Sequence, residues 1–405
     1  MFCSTRLCIG LPLLSALLAT FGCASRRDGA SSCPPVRKSD NAWCETARYI
    51  ASKIPSDLHE VERNRAMADT AAVALDVGSD EQAQRIANEI TGWRRGDLLA
   101  RLATRCYHSD RLMAGDRLRT AAEAVARDPS LEPWQTSRVK LALERARHAR
   151  PASTGSNAVD VNRLEPADQA ALLPDLMQQS VAASNLLETL VRLEAVTNQV
   201  LDLDAAAATV DAYRIVYQTA SADAVTDTYR ERVFAGTTSV FKNLHPTLAC
   251  DKLVDFGEAA LQFGDTNLVL RLCGEVDARL VGIRSDMRLP VQIRYARFLS
   301  QAGLSARAHA RLNEVGGLLP DTAVLASERP GLLAALGVAW RELGETASAA
   351  SRWHEACAAL AALENARPRS VAAVQVCLVL ARAQVSDAAL ERSLAAVGEG
   401  LGEPW

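Results

Sequence analysis

The sequence predicts an all-α chain of repeated helical hairpins, arranged as a solenoid in two arrays behind an export signal. Three observations carry this expectation. Apolar residues recur with helical period through nearly all of 41–150 and 176–400. Gly and Pro fall mostly between those periodic stretches, where helices stop and start. Of the 405 residues 49% are apolar but only 5% are aromatic, and Ala, Leu and Val dominate the apolar share. Such a core suits closely packed helices, because Ala has the best helix propensity and lets helix axes approach. A strand-rich protein needs more β-branched and aromatic residues.

Residues 1–22 have the order of a secretory signal peptide: Arg6, then an apolar run from Leu7 to Phe21, then Gly22 before a cut site. The run is short for a membrane span, which needs about 20 residues. The segment Thr20-Phe21-Gly22-Cys23 resembles the bacterial lipobox. That resemblance implies a lipid on Cys23, and Ala24 after it implies the outer membrane, with the folded part facing the periplasm. Residues 23–40 are rich in Ser, Pro, Gly and charge, which suits a flexible lipidated tether.

The net charge is −3, and removing residues 1–22 takes away Arg6 and no acid, leaving −4. A weakly acidic chain lacks the basic footprint of a general nucleic-acid binder. An exported chain with ten cysteines raises the question of disulfides. Cys3 and Cys8 lie in the signal and Cys23 carries the lipid. Cys33 and Cys44 flank Pro34-Pro35 and can staple the tether to the first helix. Cys357 and Cys377 are equidistant from Arg367; if Arg367-Pro368 turns a helical hairpin, they come level and can bridge. Cys106, Cys250 and Cys273 are expected as small buried hydrophobes.

Internal repetition decides the architecture. Leu336-Gly337, Trp340, Gly344, Ala349, Trp353 and Ala356 form one unit. Gly344 allows a tight turn, Gly337 and Ala349 sit where two helices come closest, and Trp353 fills the space between them. The same frame recurs at Phe256-Gly257, Ala260, Gly264, Val269, Cys273 and Val276, and at Tyr295-Ala296, Leu299, Gly303, Ala308, Leu312 and Val315. Leu378, Ala381, Val385, Leu390, Leu394 and Val397 make a copy without its turn Gly; Ala71, Ala74, Gly78, Ala83, Ala87 and Ile90 make another. A partial copy runs from Arg95 to Val125. These units resemble the tetratricopeptide repeat, in a degenerate form covering about half of the chain. The domain reading is a signal at 1–22, a tether at 23–40, an array at 41–150, a Ser- and Gly-rich linker at 151–175, a second array at 176–400 and a tail at 401–405.

Motifs for chemistry are scarce. The chain has no HExxH, CxxC, P-loop or GxSxG. His354-Glu355 beside Cys357 lacks the further ligands that a metal needs, so neither a metal nor a cofactor is expected. Gly398 to Gly402 follows a helix, where a dinucleotide fingerprint needs a strand before it. Arg95-Gly96-Asp97 opens a helix, where Asp suits the N-terminal dipole. Arg138, Lys140, Arg145, Arg147 and Arg150 end a helix on a solvated face.

A helical array with a concave face binds other chains along its groove. The expected function is therefore an envelope scaffold for another envelope protein or peptide, in outer-membrane or cell-wall assembly, and not an enzyme. Arg294, Arg297, Arg341 and Glu342 are the groove candidates. Rival classes are a self-assembling envelope component and an all-helical cell-wall enzyme. The oligomeric state is left open.

Overall fold

A computed structural model describes residues 41–150, 174, 177, 181, 183–198, 203–222, 227–320, 324–402 and 405. Among the described residues the protein is all-α, with no strand. Residues 1–40 and 151–173 lie outside them, and with them fall the signal, the tether, Cys23, Cys33 and most of the linker.

Six helices precede the linker: α1 Ala42–Ser52, α2 Glu60–Asp76, α3 Asp80–Asn88, α4 Gly92–His108, α5 Leu112–Ala126 and α6 Pro133–Ala149. Five follow it: α7 Leu186–Thr197, α8 Leu203–Ala222, α9 Asp227–Val240, α10 Pro246–Gln262 and α11 Thr266–Leu280. The last six are α12 Ser285–Gln301, α13 Ser305–Leu318, α14 Arg329–Glu342, α15 Thr346–Ala361, α16 Ala366–Arg382 and α17 Ala388–Glu399. Their starts carry the expected chemistry. The side chains of Asn41, Asp265 and Asp387 accept from backbone N–H groups of the first turns of α1, α11 and α17. Proline stands in the first turn of α6, α10 and α14, where its missing N–H costs nothing.

One turn recurs through the chain. Gly78, Gly264, Gly303 and Gly344 lie in the left-handed region, with φ between 70° and 86°. Asp110 and Gln384 adopt the same conformation, with φ of 54° and 49°. In each case the next residue's N–H bonds back across the helix end. Ser79 donates to Ala74 at 2.8 Å, Arg111 to Cys106 at 2.8 Å and Asp265 to Ala260 at 3.1 Å. Leu304 donates to Leu299 at 2.9 Å, Glu345 to Trp340 at 3.0 Å and Val385 to Leu380 at 3.1 Å. This bond satisfies a carbonyl that the helix leaves orphaned. In the unit that lacks a turn Gly, the frame places the turn at Val385; the structure places it one residue earlier, at Gln384.

Inside the best-defined hairpin, α14 and α15, Trp353 lies against Gly337. Its indole N–H donates to the Ala334 carbonyl at 3.3 Å. A Cβ on Gly337 would come within 2.4 Å of that nitrogen. Gly257 has a different neighbour from the one its place in the frame suggests: it faces Phe298 of the next hairpin.

The first helices form a row. α8, α10, α12, α14 and α16 pack each against the next, and the row continues through α2, α4 and α6. Helices α3, α5, α11, α13 and α15 pack on α2, α4, α10, α12 and α14. The first described helices thus pack against the last. α16 packs more extensively against α1 than against its sequence neighbour α17. Trp43 on α1 donates its indole N–H to the Val385 carbonyl at 2.6 Å. Gly398 on α17 lies against Tyr49 and Ile50 of α1. Arg367 and Arg382 on α16 pair with Glu62 and Asp76 on α2, at 3.7 and 3.8 Å. One hydrophobic core accordingly holds Trp43 to Ala146 together with residues from Leu289 to Leu394. The second core runs from Met177 to Ala308. Among the described residues the cores part within α12 and α13. Leu289, Ile293 and Ala296 belong to the first; Val291, Tyr295 and Phe298 belong to the second.

Cys357 and Cys377, expected to bridge, are free thiols, as is Cys44. The expected pairing of Cys33 with Cys44 lies outside the described residues with Cys33. α15 ends at Ala361 and α16 begins at Ala366, so Arg367 and Pro368 lie within the first turn of α16. The turn is therefore centred before Arg367. Cys44 is fully buried against the core on α1.

Candidate functional site

A groove of about 1160 Å³ opens along the first helices. α2 contributes Glu62, Arg65, Ala66 and Asp69; α12 contributes Met287 and Pro290, with Arg284 just before it. Leu325 and Glu328 come from the approach to α14, Leu332 from α14 itself, and Val371, Gln375 and Val379 from α16. α2 and α12 have α14 and α16 between them in the row, yet both line this one groove. The row is therefore concave here, and the groove joins helices from either side of the linker.

Most of the lining is apolar, with charge at set positions. Met287 and Leu325 remain 39% and 65% exposed. Leaving such side chains in water forgoes about 1.5–3 kcal/mol each relative to full burial. Pro290 interrupts the hydrogen-bond ladder of α12, since it has no N–H to give. Arg284 and Asp286 form a bidentate pair, with both N–O distances 2.6 Å. The Arg284 guanidinium holds the Asp286 carboxyl below the usual range. Burial pushes the Asp69 carboxyl up, against the pull of Arg65, Arg94 and Arg382. No His or Cys lines the groove.

The four residues singled out as groove candidates lie elsewhere on the first helices. Arg294 on α12 reaches α10, with Nη1 3.1 Å from Asp251 and Nη2 on Asp255. Arg297 on α12 grips Glu342 on α14 through two bonds of 2.8 and 2.7 Å. Arg341 on α14 donates to the Ala383 carbonyl at the end of α16, at 2.7 Å. These side chains clamp neighbouring hairpins together along the C-terminal halves of the first helices. The groove is lined mainly by the N-terminal halves, with Val379 from the C-terminal half of α16, and these positions carried no motif. The signal available in the sequence was a helix start made apolar by Met287 and Pro290.

The repeat signature itself is core: Leu336, Ala349, Trp353 and Ala356 are buried, as are Gly337 and Trp340. Arg95-Gly96-Asp97 is built into α4, where a Cβ on Gly96 would come within 2.9 Å of Val125 and Val139. In the basic end of α6, Arg147 pairs with Glu144 and Glu123, and Arg150 with Asp116. Among the described residues no group of His, Cys, Asp and Glu is placed to hold a metal. Among them, too, no helix is long and apolar enough to cross a membrane. No family model matches the chain, and no curated protein or solved structure matches it.

Proposed function

We propose that this chain is an envelope lipoprotein, anchored through Cys23, whose hairpins form a degenerate tetratricopeptide-like solenoid that holds a segment of another envelope protein. The observation that carries the reading is the groove shared by α2, α12, α14 and α16. Its volume of about 1160 Å³ exceeds the roughly 300–1,000 Å³ of small-molecule sites. Its lining of exposed apolar side chains between fixed charges suits an extended polypeptide, which repeat arrays take along their inner face.

Photocrosslinking in the native cell tests this. A photoreactive residue replaces Gln375, an exposed side chain lining the groove. A control replaces Val281, which is 82% exposed and outside the groove. One protein adduct of discrete mass is expected at Gln375 and not at Val281, and Leu325→Asp should abolish it. Identical adducts at both positions, or none at Gln375, contradict the reading.

A further inference from the structure

The α2 side of the groove, where α2 packs on α4, is built differently from the rest. Two other lining charges are matched, Arg284 with Asp286 and Glu62 with Arg367. Arg65 lines the groove and is exposed, yet it makes no hydrogen bond or ion pair among the described residues. Arg94 on α4 is also without either, and the Asp69 carboxylate acts electrostatically on both arginines. The Asp69 carboxylate accepts no hydrogen bond among the described residues, and burial disfavours its charge. Arg65 and Arg94 in turn repel each other. Arg382 also faces Asp69 but is committed to Asp76.

Beside this pair lies bare aromatic surface. The Arg94 guanidinium sits 4.5 Å from the Trp93 ring centre. Trp93 meets Trp134 edge to face at 5.4 Å, and Trp134 remains 51% exposed. An aromatic pair next to Arg94, with two guanidiniums that share the one Asp69 carboxylate, favours a ligand that brings both an anion and an apolar group.

We infer that Arg65, Arg94 and the Trp93–Trp134 surface form a subsite for an acidic peptide segment whose carboxylates lie next to large apolar side chains. This rests on the groove reading above and names its ligand class. The ligand's carboxylates lie over α2 and α4. Its apolar side chains continue across Val371, Leu332 and Met287. At the far side Glu328 is unmatched among the described residues and sets the direction against a second acidic stretch there.

The test uses the chain from Ala24 onward and two fluorescein-labelled synthetic nonapeptides, read by anisotropy. One alternates Glu with Leu and Phe; the other carries Gln for each Glu. The acidic peptide should bind at least about tenfold tighter, as expected when a charge-assisted bond is made or lost. Arg65→Glu with Arg94→Glu should remove that preference, and raised salt should weaken it. Asp69→Asn should tighten binding several-fold by removing the competing carboxylate, a gain that a merely misfolded variant cannot give. Trp134→Ala should weaken both peptides. Equal binding of the two peptides, unmoved by the arginine variants, overturns the inference and leaves the groove reading standing. Binding of neither peptide overturns it as well, while the groove reading answers to the crosslinking result.

Discussion

The indole N–H of Trp43 donates to the main-chain carbonyl of Val385 across 2.6 Å, inside the core and between residues 342 apart in sequence. That bond marks the place where the first helix of the chain takes the position against α16 that α17 would otherwise fill. It ties the first described helix to the last helices, and the groove depends on it because α2 follows α1.

Trp43→Phe should keep the apolar contact and lose the bond, leaving a buried carbonyl short of a donor. The expected cost is about 1–3 kcal/mol. Trp43→Ala should cost about 3–5 kcal/mol through the added cavity. Urea midpoints measure both. An undiminished midpoint for Trp43→Ala would show that α1 is not seated as described.

Gly337 and Gly274 form a matched pair of glycines within helices. A Cβ on Gly337 meets Trp353 at 2.4 Å and the Ala349 carbonyl at 3.1 Å, whereas one on Gly274 meets nothing within 4 Å. Gly337→Ala should therefore destabilise by about 1–3 kcal/mol through overpacking. Gly274→Ala should stabilise by about 0.5–1 kcal/mol through helix propensity. Thermal melts of the two variants should shift in opposite directions.

The fold class and most hairpin turns were legible because their causes are local. Gly344 and Gly303 turn the chain where their sequence positions say so, and Trp353 fills the space beside Gly337. Gln384 was missed because a left-handed glutamine leaves no mark in the sequence; it is held there at a cost of about 1–2 kcal/mol by its surroundings. Arg367-Pro368 looked like a turn because proline breaks helices, but the first turn of a helix tolerates it. The partnership of α1 with α16 has no local cause at all. Arg294 and Arg297 lie on a first helix but are half-buried against neighbouring hairpins. Whether such residues face a ligand or the next hairpin depends on how far along the helix they stand, which periodicity does not resolve.

Glu144 links stability to pH. Burial pushes its carboxyl above the usual range, against Arg147 and His148, with Glu123 adding to the rise. Between the unfolded value, about 4.3, and the higher folded value, the folded chain binds more protons. Stability therefore falls as pH rises through that window, and the full cost is present at neutral pH. Glu144→Gln keeps an acceptor for the Arg147 bond of 2.5 Å. It should raise the urea midpoint at pH 7, with the gain vanishing below about pH 4. A variant less stable at both pH values would contradict this.

Thiol reactivity checks the corrected cysteine assignment. Burial pushes Cys44 up to about 12 and Cys250 up to about 11. Cys106, Cys273 and Cys377 are also buried and raised, while Cys357 is only half-buried. Of the six described cysteines, only Cys357 should react with a thiol reagent in the folded chain at pH 8, since thiolate and access are both required. All six should react after unfolding without reductant. Fewer would reveal a disulfide.

The joining of α1 and α2 with α16 and α17 into one groove-bearing core is tested most directly by cutting the chain. A protease site placed in the Ser- and Gly-rich stretch 153–157 allows cleavage of the folded protein into two fragments. Because α1 and α2 pack on α16 and α17, the fragments should co-elute in size exclusion and unfold in step, and Trp43→Ala should let them separate. Fragments that separate at once, with Trp43 intact, would contradict the single core and the groove built upon it.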